Sequence, residues 1–135
     1  VDDLAARAQE VLDVPLQHAL GARLLDDDNP GAGLCFPATG LAATPYGTMH
    51  AGALGSIMEA AGFLVVLPHL DPAEHAVTHA SSIQYLSSAA AGELVTARGT
   101  LLRRGRTLAF VSVTAEANGK VLSHAQITKS IVPRP

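Results

Sequence analysis

The sequence predicts an α+β fold in which one long buried helix lies against an antiparallel sheet. Two observations carry this expectation. Met49–Leu67 is a long, almost uncharged stretch, and from Ala76 onward the apolar period changes from helical to two. The later strands follow one another with no helical segment between them, which excludes a doubly wound parallel sheet.

Each element has a local cause. Asp2 or Asp3 can cap a short helix in which Leu4, Ala8, Val11 and Leu12 share one face, and Pro15 discourages its continuation. The apolar runs Gly21–Asp26 and Gly33–Ala38 flank Asp27-Asp28-Asn29-Pro30-Gly31, whose residues favour a turn, so the pair reads as a hairpin. A Gly/Pro/Thr-rich connection, Thr39–Thr48, leads into the long helix, which ends before Pro68. That helix reads as buried rather than membrane-spanning: its unbroken apolar part is short, it contains Glu59, and basic flanks are missing.

In the final third, Val77, His79, Ser81, Ile83 and Tyr85 alternate with Thr78, Ala80, Ser82, Gln84 and Leu86. Similar alternation runs through Leu94–Leu102, Leu108–Glu116 and Val121–Ile131. Asn118-Gly119 suits a type I′ turn, which needs positive φ at both central residues, and Arg104-Gly105 gives a second, weaker turn signal. The last three strands should form an antiparallel meander, and residues 1–135 read as one domain.

Composition narrows the function classes. The 135 residues carry a net charge of -3, which gives no chain-wide attraction for nucleic acid or an anionic membrane. A single cysteine, Cys35, excludes an intrachain disulfide and a multi-cysteine zinc site; in its apolar strand it reads as an inert core thiol. Val1–Leu12 is polar where a secretory signal is apolar, so the reading is a cytoplasmic domain. His75 and His79 have the spacing of a helical metal pair but fall where the period is two, so no metal site is expected.

Three features can carry chemistry. Glu59 is the sole charge within Ala53–Leu67; burying an unpaired carboxylate costs several kcal/mol, so it must be ion-paired, solvated by a cleft, or chemically used. At the helix entry, Tyr46-Gly47-Thr48-Met49-His50-Ala51-Gly52-Ala53, small residues leave the first backbone N–H groups open to a carbonyl or oxyanion, or else simply permit close packing. His50 can face that carbonyl or order the loop. Ala51 and Glu59 are separated by about 12 Å along a helix axis, so a site using both requires two antiparallel copies. The third feature is Arg103, Arg104 and Arg106 at a strand turn, which suit phosphate oxygens or a solvated edge. Asp27-Asp28-Asn29-Pro30 matches the start of a hydratase-type Asp-x-Asn-Pro pattern, but no histidine follows for acid–base work.

These residues resemble the acyl-CoA thioesterases of the phenylacetate-pathway and 4-hydroxybenzoyl-CoA type, which have the hotdog fold. Gly47-Thr48-Met49-His50-Ala51-Gly52 is similar to the family's Gly-x-x-His-Gly-Gly, and Glu59 stands where its acidic residue follows. Ile83-Gln84-Tyr85-Leu86 and Arg104-Gly105-Arg106-Thr107-Leu108-Ala109-Phe110 resemble its later blocks. The resemblance implies a curved antiparallel sheet wrapped around the central helix, in a homodimer or homotetramer. It implies hydrolysis of a small or medium acyl-CoA, aromatic groups included, with coenzyme A as part of the substrate and no separate cofactor. Glu59 would be general base or nucleophile, the Ala51 N–H would polarise the carbonyl with His50 and Gly52 beside it, and Thr78 would assist. Thr44 and Gly47 would line the substrate loop, and Arg103, Arg104 and Arg106 would hold the nucleotide end. Two departures stand out: Ala51 replaces a usual glycine, and Thr44 replaces an Asn or Gln. They keep open a non-catalytic acyl-thioester-binding protein as the alternative, with a hotdog hydratase or dehydratase behind it.

Overall fold

A computed structural model describes residues 2–135. Helices α1 (Asp2–Asp13) and α2 (Pro15–Ala19) precede the short strands β1 (Arg23–Leu24) and β2 (Leu34–Pro37). The central helix α3 (Ala51–Val66) follows, then β3 (Glu74–Tyr85), β4 (Leu94–Arg104), β5 (Leu108–Ala117) and β6 (Lys120–Pro133). The strands form one antiparallel sheet in the order β1-β2-β4-β5-β6-β3, so β4, β5 and β6 are the expected meander and β3 lies at an edge. This is the α+β hotdog-like arrangement, one long helix packed on an antiparallel sheet.

The start of the chain differs from the sequence expectation. The position before α1 is Val1, outside the described residues, and Asp3 lies within the helix instead of capping it. The first helix does end at Asp13, before Pro15, as expected; Pro15 then opens α2, because a proline at the first helical position lacks only an N–H that has no intrahelical partner.

The core is where α3 meets the sheet. Leu54, Ile57, Met58, Ala61 and Leu64 pack with Val95, Val111, Val113 and Ile127, all almost inaccessible to solvent. Glycine brings the layers close: a Cβ on Gly99 of β4 would sit 3.2 Å from the Ala61 carbonyl oxygen of α3. Together with the next 3-10 turn, Ala51–His69 is long and apolar enough to cross a membrane by length and composition alone, a test that mostly buried core helices also pass. Its covering here is protein, with 61% of its apolar window buried in the fold.

Two turns follow their residues closely. Asn118 and Gly119 adopt φ of 51° and 76°, as a type I′ hairpin turn demands. Asp26 Oδ1 accepts the Asp28 N–H at 2.9 Å, and Pro30–Ala32 forms a 3-10 turn, so the Asp-x-Asn-Pro match is local turn chemistry.

The alternation of β3 is broken, unlike the continuous pattern read from sequence. Thr78 pairs with Lys129 and Ala80 with Thr128, leaving His79 as a bulge. Directly paired residues share a face, so Ala76 and Thr78 point to the α3 side with Ile131 and Lys129. Beyond the bulge it is Ser81, Ile83 and Tyr85 that share the face of Ile127, Ala125 and Ser123.

Candidate functional site

Glu59 lies on the half-exposed flank of α3 and opens into a cavity of about 540 Å³. Val11, Val14, Leu16, Ala60 and Phe63 give the cavity an apolar wall, and Thr78 stands on its β3 side. Arg7, Glu10, His75 and Lys129 bring further charge or titratable groups to the same space. No ion pair within 4.0 Å involves Glu59 among the described residues. Of the readings open to this acid from its position, the structure favours a side chain in a cleft over one clasped by an arginine.

Sequence reasoning missed Lys129, which is only 4% exposed. Its Nζ donates to Thr78 Oγ1 at 3.0 Å and to the Glu59 backbone carbonyl at 3.3 Å. Burial pushes its ammonium below the ordinary lysine range, and the Glu59 carboxylate opposes that shift. The signal was in the strand period: Ala125, Ile127, Lys129 and Ile131 fall on one face of β6, the inward one.

Arg7 was missed in the same way. It lies three residues after Leu4 and four before Val11 on the buried face of α1, and is only 3% exposed. It donates to the backbone carbonyls of Glu74 at 2.6 Å and Asp71 at 3.5 Å, fastening α1 over the start of β3. His75 lies against Phe63, with ring centroids 5.2 Å apart. Burial, reinforced by the positive charge of Arg7, lowers its pKa.

The start of α3 forms a second feature. His50 is the N-cap: its Nδ1 accepts the Gly52 N–H at 2.9 Å, which fixes the Nε2–H tautomer. Gly52 is thereby engaged, whereas the Ala51 N–H has no acceptor among the described residues. Ala51 borders a smaller cavity of about 190 Å³ with Met49, Leu54, Tyr85 and Ser87. The preceding loop is closed by Thr44, whose Oγ1 lies 2.8 Å from that of Thr48 and accepts the Tyr46 N–H at 3.2 Å. Gly47 supplies the positive φ of 77° that this loop needs.

The structure joins Glu59 with Thr78, and Ala51 with His50 and Gly52, but keeps the two groups apart. The larger and smaller cavities have no lining residue in common. The arginine cluster also divides. Arg104 donates to Glu74, to the His69 carbonyl at 3.2 Å and to the Gly105 carbonyl at 2.8 Å, so it ties the β4–β5 turn to β3. The Asp71 N–H, then Arg104, hold the Glu74 carboxyl below its ordinary range. Arg103 and Arg106 are exposed and have no side-chain partner among the described residues. No group of three or more His, Cys, Asp and Glu residues suited to a metal ion occurs among the described residues.

Comparison with known proteins adds the family. No curated protein matches the chain. Among solved structures, a thioesterase family protein from Silicibacter pomeroyi superposes with a TM-score of 0.84 at 22% identity, covering 97% of this chain and 99% of that one. A phenylacetic acid degradation-related protein from Ralstonia eutropha gives 0.78 at 25% identity, with 94% and 98% covered. A thioesterase protein from Streptococcus pneumoniae, solved with coenzyme A, gives 0.72 at 20% identity, with 84% and 90% covered. The family profile described as the thioesterase superfamily matches residues 46–123, from the loop before α3 into β6 and more than half of the chain. The chain therefore belongs to the thioesterase superfamily, as a thioesterase-type hydrolase on the hotdog fold.

Proposed function

We propose that this protein hydrolyses a small or medium acyl-CoA, aromatic acyl groups included, at a site shared between two copies of the chain. The observation that carries the reading is the separation of Glu59 and the Ala51 N–H into two cavities on opposite stretches of one helix. Neither cavity holds both Glu59 and the open N–H of the helix start. The edge strand β3 supplies a way to combine them: Val77 and Thr78 border the larger cavity and Tyr85 the smaller. Most of this strand is exposed, including the apolar Val77 and Tyr85, as an unpartnered edge should not be in isolation. Antiparallel pairing of two such edges brings the Thr78 end of one copy beside the Tyr85 end of the other, twice, by symmetry.

In that arrangement the thioester oxygen faces the partner's helix start, where the unpaired N–H and the helix dipole favour developing negative charge. Glu59 takes a proton from water as the water oxygen attacks the carbonyl carbon, or its carboxylate attacks directly and the mixed anhydride left after the thiol departs is hydrolysed by water. The C–S bond then breaks and coenzyme A leaves as the thiol once protonated. Coenzyme A in the Streptococcus pneumoniae structure supports a thioester of this carrier. Arg103 and Arg106 are the arginines left available for its phosphates, while Arg104 is engaged with Glu74. A homodimer is the smallest assembly that suffices, and a homotetramer contains it.

The test is a thiol-release screen over acyl-CoAs of varied length and aromaticity, with Glu59→Gln and Glu59→Ala alongside. Wild-type turnover with loss of about 100-fold or more in both variants is expected. Full turnover in folded Glu59 variants refutes the assignment, and acyl-CoA binding without any thiol release points to a binding protein instead.

A further inference from the structure

Lys129 is buried without the counter-ion that a buried lysine ordinarily needs. No carboxylate lies within 4.0 Å of its Nζ among the described residues, and its 4% exposure removes most of the compensation water would give. A methionine would fill the same space at lower cost, so the ammonium needs a further reason. Its two hydrogen bonds supply one. Lys129 stands on β6, the Glu59 carbonyl on α3 and Thr78 on β3, so a single nitrogen joins three elements at the edge of the Glu59 cavity.

The direction of the Thr78 bond matters. An ammonium can only donate, so Thr78 Oγ1 accepts, and the hydroxyl hydrogen is left for another acceptor. Donation from a cation also makes that hydroxyl a stronger donor. We propose that Lys129 is a positioning residue: it fixes the spacing of the Glu59 turn and Thr78, and commits the Thr78 hydroxyl hydrogen to the attacking water or thioester. This rests on the catalytic reading of Glu59 above. The titratable and charged groups sharing the cavity are Glu59 from α3, Arg7 and Glu10 from α1, and His75 from β3. Because burial depresses the Lys129 pKa, alkaline pH discharges it sooner than an exposed lysine, and turnover should fall with it.

The experiment measures kcat and KM against pH for wild type, Lys129→Met, Lys129→Arg, Thr78→Val and the Lys129→Met/Thr78→Val double variant. It also follows the Lys129 Cε resonance through an NMR titration in wild type and Glu59→Gln. Lys129→Met should lower kcat about 100-fold with little change in KM, and lose the alkaline limb. Lys129→Arg should recover part of kcat and hold it to higher pH, since a guanidinium does not discharge there. The double variant should be no slower than the slower single one. In Glu59→Gln the Lys129 midpoint should move to lower pH, because the carboxylate that opposed its discharge is gone. Wild-type kcat, an unchanged alkaline limb, or additive losses in the double variant overturn the proposal. If Lys129→Met does not fold, an unaltered kcat in Thr78→Val or a Lys129 midpoint indifferent to Glu59→Gln overturns it. Active Glu59→Gln refutes the catalytic reading itself; inactive Glu59→Gln with fully active Lys129→Met refutes only the role of Lys129.

Discussion

Ala51→Pro offers an unusually clean test of the shared site, because it removes one N–H and little else. Ala51 is the first residue of α3, where proline fits, and its N–H has no acceptor among the described residues. His50, just before it, has φ −72° and ψ 127°, the extended region that a following proline requires. No intrachain hydrogen bond is lost, so stability should hold or rise by about 0.4–1 kcal/mol. Loss of one oxyanion donor should lower kcat about 100- to 1000-fold. The deciding assay mixes Ala51→Pro with Glu59→Gln by co-refolding at equal concentration. If each site takes Glu59 from one copy and Ala51 from the other, every mixed dimer has one doubly altered site and one intact site. Random pairing then restores about one quarter of wild-type sites. Recovery absent from verified mixed dimers would show that each copy carries its own complete site, and the two-copy argument would fall.

Other consequences are directly measurable. Gly33→Ala should cost at least about 2 kcal/mol in urea denaturation, since φ is 125° and the added Cβ would lie 2.4 Å from the Ala97 carbonyl oxygen. His75, whose folded pKa is lowered chiefly by burial, contributes stability that is complete above its unfolded value, about pH 6.5, and is lost as pH falls through the lower folded value. The urea midpoint should therefore drop on acidification across that window, with a shallower slope in His75→Phe. Arg103→Ala and Arg106→Ala should raise KM for acyl-CoA, more strongly at low salt, while leaving a pantetheine thioester lacking the nucleotide unaffected. Arg104→Ala should instead lower the melting temperature, because its partners are Glu74 and turn carbonyls.

The architecture was legible where side-chain period and turn chemistry act alone. The apolar run around Glu59 gave α3, Asn118-Gly119 gave the β5–β6 hairpin, and the two-residue period gave β4 to β6. Glu59 announced itself as a charge among apolar neighbours. Lys129 and Arg7 did not, because a cation in a mixed strand or surface helix looks solvated until its neighbours' faces are compared. The Arg103–Arg106 cluster looked uniform in sequence, yet among the described residues only Arg104 of the three meets an acid, Glu74, supplied by a distant strand. The position of β3 at the sheet edge also depends on long-range pairing with β6, which local pattern does not encode.

The extra residue at His79 gives β3 two independent phases. A regular strand would present residues of one parity to the helix along its whole length, and Thr78 and Tyr85 are of opposite parity. Thr78 and Ala80 already oppose the consecutive residues Lys129 and Thr128, so removing His79 alone should leave a regular strand with Thr78 and Tyr85 still on the helix side. The bulge thus fixes numbering rather than facing: it lets positions of opposite parity in the sequence serve one side of the strand.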